Sequence, residues 1–201
     1  MIVYEPITAQ FYAQPTQTVA RDLLGRLLVR RGPEGLCAGV IVETEAYLSR
    51  DDPGCHAAGG KTPRNAPMFH APGVAYVYLI YGRYHCLNIV TGPEGVPEAV
   101  LLRALEPVVG MALMGQRRSL SDPRSLCSGP GKLCQAMDIA LSHNLWDMTQ
   151  DGLCVCEPPG GMLAVSDNDI VVTNRVGLSE GKGADLPLRY YLRHNPFISR
   201  R

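Results

Sequence analysis

The run Ala75-Tyr-Val-Tyr-Leu-Ile-Tyr81, the break at Gly82-Arg83 and the run His85-Cys-Leu-Asn88 decide how this chain folds. Aromatic, β-branched and aliphatic residues at this density suit a pleated strand, and so short a break with a glycine in it turns one strand back on the next. The sequence therefore predicts an antiparallel hairpin, 74–81 with 85–90. Tyr76 and Tyr78 share one face, and Tyr81 stands at the tip with its ring outward. Outward from the hairpin, residues 38–47 and 99–105 read as further strands, as do shorter runs at 153–157, 170–173 and 188–192. Apolar residues at helical spacing predict a helix from Thr18, its N-cap, to Val29, and Ser128-Gly-Pro-Gly-Lys132 opens a second over 132–140. Hairpin-length links outnumber helical crossovers, with neither βαβ alternation nor a G-x-G-x-x-G run. The expected class is α+β, one domain over residues 1–201 around a mainly antiparallel sheet.

The 201 residues include 19 Lys+Arg and 19 Asp+Glu. This neutral total lacks the basic excess, with pI above about 9, that marks many nucleic-acid binders. No apolar stretch reaches the ~20 residues that cross a bilayer, and the N-terminus has no basic segment followed by an apolar run. A cytoplasmic protein with no membrane partner is expected. Seven cysteines, an odd number with no C-x-x-C pair, read as reduced thiols. Cys154-Val155-Cys156 alternates as strand residues do, and the nearest histidine in sequence, His143, is at no familiar ligand spacing, so no metal or other cofactor is expected.

Local charge departs from the total. Residues 53–93 hold Lys61, Arg64, Arg83 and three histidines, no acid, and five of the thirteen aromatics. Such a surface neutralises phosphates while bases stack on rings, although strand tyrosines can equally just fill a sheet. In Ile41-Val-Glu-Thr-Glu-Ala-Tyr47, residues Glu43, Glu45 and Tyr47 share one parity. They are either the solvent face of the strand or a carboxylate that activates water beside an aromatic platform. Arg103, inside the aliphatic run 100–105, needs a buried partner, and a glutamate from a neighbouring strand is the natural one. That pair is a structural salt bridge or a water-holding site. Residues 128–132 fail as a Walker loop, because the glycine spacing is wrong and Leu133 follows the lysine. What remains is an ordinary N-cap or a grip for one backbone phosphate.

Taken in order, Ile-Val-Glu-Thr-Glu-Ala-Tyr (41–47), Lys-Thr-Pro-Arg-Asn (61–65), Tyr-Val-Tyr-Leu-Ile-Tyr-Gly (76–82), Leu-Leu-Arg-Ala-Leu-Glu-Pro (101–107), Leu-Cys-Ser-Gly-Pro-Gly-Lys-Leu-Cys-Gln-Ala (126–136), Arg-Val-Gly (175–177) and Pro-Leu-Arg-Tyr-Tyr (187–191) resemble the alkyladenine (3-methyladenine) DNA glycosylase family. The resemblance runs from Phe11 to Ile198. It implies a curved sheet with surrounding helices and a protruding, DNA-inserting hairpin. It also implies a monomeric repair enzyme that flips alkylated or deaminated purines out of duplex DNA and hydrolyses the N-glycosidic bond, leaving an abasic site. Position by position, Glu45 is implied as general base, with Arg103 and the backbone carbonyl of Val176 helping to hold the attacking water. Tyr47 and Tyr78 are implied to sandwich the extruded base, with His56 on the pocket wall and Asn88 crowding the 2-amino group of guanine. Tyr81 is implied as the intercalating wedge, and Arg83, Lys132, Arg64 and Ser128 as contacts to the DNA backbone. The three lysines (61, 132, 182) match no pocket position, so no lyase step is expected. Two alternatives stand beside this reading: a non-catalytic module for damaged DNA, and a hydrolase of free modified nucleosides. Three features depart from the family pattern. Arg83 lies where an apolar residue can occur, the loop 92–98 carries two glutamates oddly placed for a DNA-facing surface, and the short segment before the first motif suggests a bacterial source.

Overall fold

One long strand organises the sheet. In a computed structural model, which describes residues 4–158 and 165–200, the chain runs α1 (Ala9–Tyr12), α2 (Thr16–Asp22), β1 (Leu27–Gly32), β2 (Gly35–Tyr47), β3 (Ala75–Ile80), β4 (Tyr84–Val90), β5 (Ala99–Val109), α3 (Met111–Arg118), α4 (Pro123–Leu126), α5 (Pro130–Met137), β6 (Leu153–Cys156), β7 (Ile170–Thr173) and β8 (Arg189–Leu192). The strands are antiparallel in the order β3-β4-β5-β2-β1-β6, with β8 against β2 and β7 against β8. β2 keeps β5 on one edge from Ala38 to Tyr47 and changes partner on the other: β1 pairs as far as Val40, and β8 takes over at Glu43–Glu45.

Two register shifts bend β2 against β5 at this handover. Ile41 faces Leu105 and Glu43 faces Ala104, so β2 carries the first extra residue; Thr44 then faces Leu102, which leaves Arg103 as the extra residue on β5. Bulges sharpen twist and re-aim side chains, and here they curve the sheet where two glutamates and an arginine must converge.

The helices cover one face. Val19, Leu23 and Leu24 near α2, and Leu133 and Met137 of α5, are fully buried in one cluster with Ile41, Leu102 and Leu105. Each such side chain contributes about 1.5–3 kcal/mol on burial. Thr44 turns its hydroxyl to the carbonyl of Ala20 at 2.7 Å, which ties α2 to the middle of β2. A second cluster fills the other face, with Leu27, Val29, Val40, Val42 and Ala104 against Phe197 and Ile198 of the tail. The seven cysteines are free and buried.

The sequence-based strands are found, most with ends shifted by a residue or so, and β5 runs four residues further than expected. The helix expected over 18–29 is corrected. It runs Thr16–Asp22 with Pro15 at the N-cap, Thr18 lies inside it, and Leu27–Val29 belong to β1. Leu28 faces one core while Leu27 and Val29 face the other, so a strand buried on both sides mimics the continuation of an apolar helix. The second helix starts at Pro130 and ends at Met137, where Asp138 takes a left-handed conformation (φ +55°).

Candidate active site

Glu43 and Glu45 are the polar centre of the molecule and are fully buried, which excludes the solvent-face reading of this strand. Bare carboxylates at such depth are costly, so each must be met by donors. Glu43 Oε1 accepts from Arg103 Nε (3.0 Å), Arg189 Nε (2.7 Å) and Ser199 Oγ (2.8 Å), and its Oε2 accepts from the Ser199 N–H (2.5 Å). Glu45 Oε1 accepts the Val176 N–H at 2.7 Å and lies 3.2 Å from Arg103 Nη1, and its Oε2 accepts the Tyr47 hydroxyl at 2.9 Å. Arg103 therefore spans both glutamates, the reach that its bulge position provides. Burial pushes the Glu45 carboxyl above the ordinary glutamate value, against the opposing pull of Arg103, Val176 and Tyr47. Among the described residues, Oε2 has one partner only, which leaves it acceptor capacity for a water.

One hydrogen bond away from Glu45 is an aromatic cleft lined by Tyr47, His56, Met68, Tyr76, Tyr78 and Asn88. Strand alternation sets Tyr76 and Tyr78 side by side, with ring centroids 5.2 Å apart. His56 meets Tyr78 edge-on at 4.6 Å and holds the Tyr76 hydroxyl through Nδ1 at 2.9 Å. Burial, then the nearby Arg64, lower the His56 pKa and favour its neutral ring. Asn88 is buried and donates to the Tyr76 carbonyl at 3.1 Å, which fixes its amide in the wall. The cleft has a volume of about 10 Å³, room for one water at most. A flat aromatic guest enters only if the walls opposite Tyr47 move back.

The hairpin tip stands beside this cleft. Tyr81 is 87% exposed and adopts φ +54°, followed by Gly82 at +63°, and the Arg83 N–H closes the turn on the Ile80 carbonyl at 3.1 Å. Two successive left-handed residues suit a hairpin turn of this hand, but a bulky side chain there is strained, by roughly 1–3 kcal/mol. A large ring held in water by a strained backbone has no packing reason to exist. Arg83 lies alongside, its guanidinium 5.6 Å from the centre of the Tyr84 ring, and Arg64 covers the Tyr78 ring at 5.3 Å. The start of α5 packs on β4 near the tip, and a Cβ on Gly131 would come within 3.0 Å of that of Tyr84. Its free N–H groups carry no acidic residue in the first turn, and Lys132 Nζ reaches Ser128 Oγ at 3.3 Å.

The residues expected to form a site thus fall into three adjoining groups: Glu45, Arg103 and Val176; Tyr47, His56, Tyr78 and Asn88; and Tyr81 with Arg83, Arg64, Lys132 and Ser128. None of the three lysines lines the cleft. Glu98, one of the two odd loop acids, turns inward, where it holds the hydroxyls of Thr16 and Ser49. Sequence reasoning gave no part to Asp52, Arg175, Arg189 or Ser199, which brace the glutamates and Tyr47 from behind. Arg175 lies inside the Arg-Val-Gly segment (175–177) and Arg189 inside Pro-Leu-Arg-Tyr-Tyr (187–191), and those two segments were the available signal.

A family model described as methylpurine-DNA glycosylase matches residues 10–196. The chain is 52% identical over 195 residues to a "Putative 3-methyladenine DNA glycosylase" of Methanoculleus marisnigri, covering 97% of this chain and 99% of that one. A protein of the same printed name from Carboxydothermus hydrogenoformans is 47% identical, covering 96% and 97%. The human "DNA-3-methyladenine glycosylase" is 46% identical over 203 residues, covering 94% of this chain and 66% of the human one. A match of this extent, over a fold whose buried glutamates adjoin an aromatic cleft and an exposed hairpin-tip tyrosine, places the chain in the methylpurine-DNA glycosylase family.

Proposed function

We propose that this protein excises alkylated and deaminated purines from double-stranded DNA by hydrolysing the N-glycosidic bond, leaving an abasic site, and that it acts as a monomer in the cytoplasm. The observation that carries the reading is the buried Glu45, oriented by three donors and one hydrogen bond from the aromatic cleft. In this reading Tyr81 fills the gap left by the extruded nucleotide, and the base slides between Tyr47 and Tyr78. Flipping costs a few kcal/mol, least for damaged or mispaired bases. Tyrosine faces attract a cationic alkylpurine more than a neutral purine, so recognition needs no contact to the methyl group. Asn88, fixed in the wall, crowds the 2-amino group of guanine.

Glu45 acts as the general base. A water on its Oε2, held also by Arg103 and the Val176 carbonyl, attacks C1′ as the purine departs, and the carboxylate stabilises the positive charge that develops on the sugar. The proton goes to Glu45, and the electron pair of the broken bond leaves with the base. A cationic purine leaves without a separate acid. No lysine is at hand for a Schiff base, so strand cleavage does not follow. Arg83, Arg64, Lys132 and Ser128 meet backbone phosphates.

The test is release of individual labelled bases from duplexes bearing 3-methyladenine, 7-methylguanine or hypoxanthine, by wild type and Glu45→Gln. Release by the wild type, lost by a factor of roughly 10²–10⁴ in the variant, is expected. Equal rates for the two proteins, or turnover of free nucleosides without DNA, would overturn the reading.

A further inference from the structure

Behind Tyr47, on the side away from the cleft, lies a buried ion pair that the mechanism above does not use. The Arg175 guanidinium sits 4.5 Å from the centre of the Tyr47 ring. It grips Asp52 in fork geometry, Nη1 to Oδ2 at 2.7 Å and Nη2 to Oδ1 at 2.5 Å, and both side chains are wholly excluded from solvent. Nη1 also donates to the Ala46 carbonyl at 3.0 Å, and Asp52 accepts the N–H groups of Leu48 (2.9 Å) and Gly54 (3.0 Å). Both glycines at this spot leave space for the arginine: a Cβ on Gly54 or Gly183 would lie 2.9 Å from Arg175 Nη2. The pair therefore clamps the end of β2, the loop after it and the segment that carries Val176, whose N–H orients Glu45.

This construction is poorly explained by stability alone. Burying a salt bridge gains little over apolar packing, and here Arg175 Nε is buried with no acceptor among the described residues. What the pair does is place a cation over one face of an aromatic ring and cancel its charge from behind. A bare guanidinium on the back of Tyr47 would repel a cationic base stacked on the front. A guanidinium neutralised by Asp52 leaves the front face attractive. Arg64, the other cation over a cleft tyrosine, is exposed and screened by solvent, so it cannot make the same adjustment.

Resting on the base-stacking role of Tyr47 proposed above, we propose that Arg175 and Asp52 are positioning residues that lock the Tyr47 platform and set its preference between cationic and neutral lesions. Two unit charges about 8 Å apart across a ring, at an effective dielectric of about 30, change a binding constant by about tenfold. The two single substitutions then act with opposite sign. Asp52→Asn leaves the cation uncompensated, so the rate ratio of 7-methylguanine to hypoxanthine release falls by about tenfold. Arg175→Met leaves the anion, and the ratio rises. The double variant returns the ratio towards that of the wild type, with both rates reduced.

The experiment is single-turnover release from matched 7-methylguanine and hypoxanthine duplexes at saturating enzyme, with folding checked by circular dichroism at the assay temperature. Arg175→Lys serves as the fold-tolerant control. It keeps the charge and loses the fork, so both rates drop together with an unchanged ratio. Opposite shifts of the ratio in the two charge variants support the proposal, and either variant that folds is decisive by its sign. An unchanged ratio in a folded charge variant overturns the charge-setting role, and wild-type rates in Arg175→Lys overturn the positioning role. Failure of the wild type to release either base would instead overturn the underlying glycosylase reading.

Discussion

At the scale of single residues the proposed chemistry turns on how Glu45 is held. In the proposed role of general base Glu45 must be ionised, and burial raises its pKa above the ordinary glutamate value while Arg103, the Val176 N–H and the Tyr47 hydroxyl oppose the rise. The sign follows: with 7-methylguanine, a lesion that needs no acid, the rate climbs with pH through the Glu45 pKa, and this limb lies above the usual glutamate range. Arg103 is the largest of the opposing influences. Arg103→Met should therefore move the limb further towards neutral pH and lower its plateau; a pH–rate profile whose limb stays put or moves down would sink the base assignment. The pairing of Arg103 with a strand glutamate was legible in the sequence, because an arginine in an aliphatic strand has to find an anion. The Asp52–Arg175 pair was not, since 123 residues separate its members and neither sits in a periodic pattern.

At the scale of elements the hairpin is the clearest case of local structure held for a purpose. Its existence could be read from seven residues and a glycine, whereas β1 could not be told from a helix, because burial on both faces removes the alternation that marks a strand. The strain at Tyr81 could not be read at all, as it lies in the sign of φ. Asparagine tolerates the left-handed region, so Tyr81→Asn is expected to stabilise the fold by about 0.5–1 kcal/mol in urea denaturation. The same variant should lose more activity on fully paired lesions than on mismatched ones, where the stack is already open. Lower stability, or equal losses on both substrates, would tell against a strained wedge. The tail is the second such element. Ser199 makes two bonds to Glu43 and receives one from Arg103 Nη2 at 3.2 Å, which closes the network behind the active site. Ser199→Ala removes the hydroxyl from a buried charged cluster and should cost about 1.5–3 kcal/mol in the same denaturation assay, with the rate of base release falling as Arg103 loosens. A change within ±0.5 kcal/mol would mean that the tail merely covers the core.

At the scale of the whole molecule the neutral total charge looks wrong for a DNA enzyme, and the distribution of pairs removes the difficulty. Arg21, Arg26, Arg31, Arg103, Arg117, Arg175 and Arg189 each lie within 4.0 Å of a carboxylate of their own protein. Among the described residues no acid comes that close to Arg64, Arg83 or Lys132, the cations grouped around the hairpin and the cleft mouth. The surface around the hairpin and the cleft mouth, where the proposed DNA contacts lie, thus keeps unpaired cations although the sum over the chain is zero. With phosphate contacts limited to the three cations proposed above, binding to undamaged DNA is expected to be weak. Each neutralised phosphate adds about −0.9 to the slope of log K against log salt on duplex DNA, so three contacts predict a slope near −3. Arg83→Ala should reduce that slope by about 1 and weaken damaged and undamaged duplexes by a similar factor, with the rate of base release at saturating enzyme little changed. Fluorescence-anisotropy titrations over a salt series measure both quantities. An unaltered slope in Arg83→Ala, or a loss confined to damaged duplexes, would mean that Arg83 reads the lesion or supports the wedge and does not grip the backbone.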